Sequence, residues 1–125
     1  MWNEADPGAP RKAVEELWGE DALQVLQPPQ EIRDAAERVG MRTVALEARG
    51  HDALKFRVRT AYEECVAPGA ARFRIHGEVR RLHGLVTPSW EWAPVDGGEA
   101  QDGGLQVLLL GPDGRVATDY QFIGL

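Results

Sequence analysis

The sequence predicts an α+β fold in which helices come first and a strongly curved, mainly antiparallel sheet wraps around them. Two observations carry this. Apolar residues recur mostly at helical spacing as far as Val66, and beyond Pro68-Gly69 the period switches to two, with turn signals dividing the rest into strands. The segment Leu82 to Gly124 is the most legible part, reading as antiparallel strands with aromatics on one side.

Taken in order, Asp6 and Pro7 to Pro10 offer an N-cap and prolines suited to a first helical turn, and Ala13, Val14, Leu17 and Trp18 extend this into an amphipathic helix over 8–19. Leu23 to Leu26 is a short strand that Pro28-Pro29 must end, because proline cannot donate to a ladder. Ile32, Ala35, Ala36 and Val39 mark a second helix over 29–39, stopped by Gly40. Thr43 to Leu46 is another short strand. Gly50-His51-Asp52 opens the longest helix, with Ala53, Leu54, Phe56, Val58, Ala61, Tyr62, Cys65 and Val66 on a broad apolar face.

Phe73, Ile75 and Val79 then alternate with Arg72, Arg74, His76, Glu78 and Arg80, which predicts one buried and one wet face. Val86, Pro88, Trp90 and Trp92 share a parity opposite Thr87, Ser89 and Glu91. Asp96-Gly97-Gly98 is a hairpin signal and Gly103-Gly104 a bulge or bend. Leu105 to Leu110, apolar except at Gln106, reads as a central strand covered on both faces. Pro112-Asp113-Gly114 is a tight turn, after which Val116, Thr118, Tyr120 and Phe122 face one side and Asp119 and Gln121 the other.

A chain of 125 residues suits one domain, 1–125, and 43% apolar with 27% charged residues is ordinary for a globular protein. A net charge of −6 argues against a nucleic-acid surface, and the arginines at 72, 74, 80 and 81 read as a solvated or dimer-facing cluster. Cys65 is the single cysteine, so no internal disulfide is possible, and it reads as a small buried hydrophobe. Neither a membrane-spanning apolar run nor a leader-like start is present, so a cytoplasmic protein without membrane contact is expected.

His83-Gly84 followed by Val86, Trp90 and Glu91, then Asp113-Gly114-Arg115-Val116 and Tyr120-Gln121-Phe122-Ile123-Gly124, resembles SnoaL-like proteins of the nuclear-transport-factor-like superfamily. Trp2-Asn3-Glu4, Asp6, Arg11, Leu17-Trp18 and Asp21 resemble that family's first helix junction, and Gly50 to Leu54 the start of its third helix. The resemblance covers nearly the whole chain through order and spacing. It implies a cone-shaped roll with three helices in the concavity of the sheet, an apolar pocket between them, and homodimerisation through the convex sheet face. Relatives include polyketide cyclases, ketosteroid isomerases, dehydratases and epoxide hydrolases, so the fold does not select a reaction. Further helix usually precedes the position of Trp2 in relatives, so a trimmed start or a less covered pocket mouth is expected. Relatives also often carry an Asp-Pro whose Asp can act as a base, where this chain has Leu26-Gln27-Pro28-Pro29. Gln27 can hydrogen-bond but cannot take a proton near neutral pH. An isomerase mechanism built on that base is therefore not supported.

Among the remaining groups, Asp119 and His83 are the candidates for acid–base chemistry. The structural alternatives are a structural or surface charge for Asp119 and a turn-fixing ring for His83. His76 reads as exposed or at a dimer contact, and His51 as part of a helix start. The three histidines have no metal-ligand spacing, Ser89 lacks triad partners, and the paired glycines precede no helix, so no metal, cofactor, nucleophile or phosphate loop is expected. Trp18, Gln27, Tyr62, Trp90 and Tyr120 are the candidate ligand-binding residues, the aromatics equally readable as plain core. The leading expectation is a pocket for a small lipophilic or cyclic molecule with no assigned catalysis. The alternatives are a cyclase, isomerase or hydratase using His83 or Asp119 with Tyr62 or Tyr120, and a non-catalytic dimerisation module.

Overall fold

The computed structural model describes residues 8–28, 30–41 and 45–124, with side chains from residue 12 onward. The expected features at Trp2 to Asp6, the Arg11 side chain and Thr43-Val44 lie outside these. The element order is α1 (Gly8–Leu17), β1 (Trp18–Leu26), α2 (Gln30–Arg38), β2 (Leu46–Arg49), α3 (Gly50–Ala61), β3 (Ala71–Ile75), β4 (Arg80–Leu82), β5 (Leu85–Thr87), β6 (Ser89–Pro94), β7 (Asp102–Leu110) and β8 (Val116–Ile123). The protein is an α+β roll whose eight strands form one mixed sheet, curved as a cone around helices.

The sheet runs β2-β1-β8-β7-β5-β4, with β6 pairing both β7 and β3. All pairings are antiparallel except β1 with β8, which run parallel. Pro88, which has no N–H to donate, separates β5 from β6 along one edge of β7; its carbonyl accepts from Gln106 N at 2.9 Å. Register shifts between Trp18 and Leu23 in β1 and between Leu109 and Leu110 in β7 bend the sheet.

Several expectations change. The first helix stops at Leu17, because Trp18 pairs with Val116 and opens β1: sheet pairing overrides helical periodicity there. The longest helix keeps its start and its exit near Pro68-Gly69, but it widens into a π-helical turn over Tyr62–Val66 in which Ala67 N donates to Tyr62 O at 2.8 Å. Phe56 lies outside the buried stripe and is 72% exposed. Ile75 and Val79 are exposed as well; β3 ends at Ile75, and Gly77, at φ +73°, turns the chain before β4. β7 is central in the sheet but covered on one face only, with Leu105 and Leu109 exposed on the other. α2 buries only Ala36, leaving Ile32 exposed.

The core is Val14 from α1, Trp18 and Ala22 from β1, Ala48 from β2, Leu54 and Val58 from α3, and Val116 from β8, with Leu108 and Leu110 of β7 against it. Among the described residues no helix is long and apolar enough to cross a membrane.

Candidate functional site

Four elements run from the core into an empty space, and each crosses the boundary at a polar residue. Along β8, Val116 is core, Asp119 follows, and Gln121 and Ile123 line a cavity; along β7, Leu110 and Leu108 give way to Gln106 and Asp102. Along β1, Ala22 is core, then Gln24 and Leu26 line the cavity; on α3, Leu54 and Val58 give way to Arg57, Ala61 and, in the π-turn, Cys65. The cavity measures about 490 Å³. Its opposite wall is aromatic: Phe73 and Ile75 of β3 stand across from Trp92 and Trp90 of β6 in register. Phe73 and Trp90 meet edge to face, with ring centroids 5.6 Å apart at 79°. Trp92 Nε1 donates to the Cys65 carbonyl at 3.0 Å, which ties the π-turn to the sheet.

Below the cavity lies the one fully buried carboxylate among the described residues, Asp119. Its Oδ2 accepts from Gln24 Nε2 at 3.0 Å, Gln106 Nε2 at 3.1 Å and Gln121 Nε2 at 3.3 Å. Gln24 Oε1 in turn accepts from Arg57 Nη1 at 2.9 Å, so a neutral amide stands between the two opposite charges. Asp119 Oδ1 and Trp90 Nε1 are buried without a partner. Burial raises the Asp119 pKa above the usual carboxylate value, opposed by the three amide donors and by the Arg57 charge. Burial likewise lowers that of Arg57, opposed by Asp119. Removing a carboxylate from water costs several kcal/mol on the order-of-magnitude scale, so so many donors on one oxygen is what such a group requires.

The predicted residues divide sharply. Trp90 lines the cavity. Asp119 lies beneath it, fully buried rather than at the surface. Trp18 is in the core at the other end, its carbonyl 2.8 Å from His51 Nε2. Gln27 does not line the space: its Oε1 accepts from Ile123 N at 3.1 Å, and its own N–H donates to Gln121 O, so it extends the β1–β8 pairing. Tyr62 is half-buried and heads the π-turn, outside the lining. Tyr120 points to the convex face and is 41% exposed, because strand parity sends Asp119 and Gln121 inward and Tyr120 outward. His83 occupies the exposed β4–β5 turn at φ +55°, where its carbonyl accepts from Arg81 Nε at 3.0 Å. Arg74 pairs with Glu91, and His76 Nδ1 lies 3.4 Å from the same carboxylate, both on the surface. Among the described residues no group of three His, Cys, Asp or Glu side chains forms a metal-binding cluster.

Gln24, Arg57, Gln106, Gln121, Phe73 and Trp92 were not singled out from sequence. A signal existed for two of them. Arg57 is a charge set among Leu54, Val58 and Ala61 on a buried helical stripe, and Gln106 is the polar exception in an apolar strand.

No protein-family model matches the sequence, and no curated protein matches it. Solved structures do. A SnoaL-like-family protein from Agrobacterium tumefaciens, described as a candidate isomerase, is similar at a TM-score of 0.75 with 21% identity, over 99% of this chain and 88% of that one. A SnoaL-like protein of unknown function from Burkholderia thailandensis gives a TM-score of 0.64 at 17% identity, over 99% and 89%. A phenazine biosynthesis-related protein from Pseudomonas aeruginosa gives 0.57 at 16%, over 91% and 69%.

Proposed function

With the fold shared by SnoaL-like and NTF2-like proteins as its frame, we propose that this chain is a small-molecule-binding domain whose ligand is lipophilic and cyclic. The observation that carries this is the cavity of about 490 Å³, walled by Phe73, Trp90 and Trp92 above a polar floor. An aromatic wall with a few convergent polar groups suits a ring that must be oriented as well as buried. The test is a thermal-shift screen of bicyclic and tricyclic aromatic compounds. Ligand at 100 times its Kd stabilises by about 2.7 kcal/mol, a clear rise in melting temperature. The absence of any shift across the panel would sink the reading.

A second reading is proton transfer of the isomerase or cyclase kind, with Asp119 as the acid–base group. It is favoured by the raised proton affinity of Asp119 and by its unpartnered Oδ1. Against it, the carboxyl is covered by three amides and does not itself line the cavity. Deuterium uptake from solvent at the α-carbon of 2-tetralone tests it. Catalysis requires uptake faster than with the Asp119→Asn variant, and equal rates exclude the role.

Homodimerisation through the convex face belongs to the same proposal. Leu105 and Phe122 face each other across the β7–β8 register, as do Val107 and Tyr120, and Leu109 lies farther along the same face. Such an apolar patch on a sheet suits a second copy of the chain.

A further inference from the structure

The three glutamines fix more than Asp119. A primary amide carries its donors on one atom and its acceptor on the other, so a nitrogen committed to Asp119 turns the oxygen away. For Gln24 that oxygen is taken by Arg57. For Gln106 and Gln121 no protein partner meets Oε1 among the described residues, and neither oxygen is among the buried atoms left without one. Both residues line the cavity.

We infer that the cavity floor is an acceptor surface, formed by Gln106 Oε1 and Gln121 Oε1 and locked by Asp119, and that the ligand is a ring system presenting a hydroxyl or ring N–H donor to it. This rests on the binding function proposed above and names its chemical class. Rotating either amide by half a turn would set an oxygen against Asp119 Oδ2 and forfeit a bond to a charged group, so the two acceptor oxygens stay in place; each amide nitrogen keeps a second N–H, and the unpartnered Trp90 Nε1 is a further donor in the lining. A proton taken up by Asp119 has the unpartnered Oδ1 to occupy, which leaves Oδ2 accepting and the amides as they are. Arg57 and Asp119 carry opposite charges on either side of Gln24, Arg74 of the lining pairs with Glu91, and Asp102 adds a carboxylate, so the cavity has no excess positive charge with which to select an anion. The discriminating feature is the donor.

Calorimetric titration with 2-naphthol and with 2-methoxynaphthalene tests this, since the two share a ring system and differ in the donor. The added methyl is small against about 490 Å³. The hydroxyl compound is expected to bind about fivefold or more tightly, the scale of one satisfied hydrogen bond. In the Gln106→Met/Gln121→Met protein the ratio of the two affinities should fall towards one, whatever happens to the absolute affinities, because these positions supply the acceptors. Equal affinities for the two compounds, or tighter binding of the ether, overturn the acceptor floor and leave the binding function standing. No binding of either compound overturns both. Should the double variant fail to fold, the pair of affinities for the unaltered protein decides alone.

Discussion

Trp90 crosses Gly104 so closely that no side chain fits beneath the indole. A Cβ on Gly104 would stand 2.8 Å from Trp90 Cζ2 and overlap the carbonyl oxygen of Phe122. The glycine is therefore a condition for the aromatic wall. Gly104→Ala is expected to cost about 1–3 kcal/mol, the range for overpacking. It should also weaken 2-naphthol binding by displacing the indole. Urea unfolding and calorimetry measure the two effects, and an alanine variant unchanged in both would show that the wall does not depend on this approach.

Asp119 makes a separate prediction through its three donors. Asp119→Ala leaves the Gln24, Gln106 and Gln121 amides facing a carbon, at about 1–3 kcal/mol for a buried group left unpaired. Asp119→Asn keeps an acceptor oxygen and should cost less. The order of the two melting temperatures is the readout.

The pH dependence follows from the same carboxyl. Its folded pKa is raised above the ordinary carboxylate value of 3.8, so between the two values the folded state holds more protons than the unfolded one. The stability it contributes is fully present below the unfolded pKa and is lost as pH rises through the folded value. Wild type compared with Asp119→Asn should therefore lose relative stability as pH increases above 3.8. A difference that instead grows with pH would mean that the amides and Arg57 outweigh burial.

Cys65 reports on the cavity from the helix side. Burial and the neighbouring Glu64 raise its thiol pKa, which keeps the reactive thiolate scarce. Iodoacetamide should modify it more slowly than free glutathione at neutral pH. Bound 2-naphthol should slow it again, because Cys65 lines the space. Mass spectrometry of the alkylated protein gives both rates, and alkylation as fast as glutathione would contradict the burial of the thiol.

On the convex face, Phe122 is 51% exposed beside Leu105. Placing a charge there with Phe122→Glu should convert a dimer to a monomer in size-exclusion chromatography while leaving the melting temperature of the monomer little changed. A stable interface of this kind covers on the order of 800 Å² per partner, enough for one buried carboxylate to be decisive. A dimer that survives the change assembles by another surface.

The helices, the β7–β8 turn and the shared parity of Asp119 and Gln121, opposite Tyr120, were legible because each is local. Asp113 Oδ1 accepts from Arg115 N at 3.0 Å, and Gly114 takes φ +80°, as a Pro-Asp-Gly turn requires. Which parity faced the cavity was not local. It depends on β1 lying parallel to β8, and without that pairing Tyr120 and Asp119 compete equally for the inside. The floor was hidden for the same reason: Gln24 and Asp119 are 95 positions apart, and nothing at short range links them. Trp18 was assigned to a helix because its spacing fits one, whereas its pairing with Val116 decides its place.

The parallel β1–β8 pairing also governs when the molecule can fold. During synthesis β1 is complete long before Val116 is made, so one of its two edges waits for a strand nearly a hundred residues away. Until then Gln24 has no Asp119 to meet, and Leu108 and Leu110 lack their β8 neighbours. Such long-range closure is slow, and it holds the sheet open until β8 has been synthesised. Ribosome-held chains stalled before β8 has emerged should remain open to protease, and chains in which Ile123 has emerged should acquire resistance in a single step.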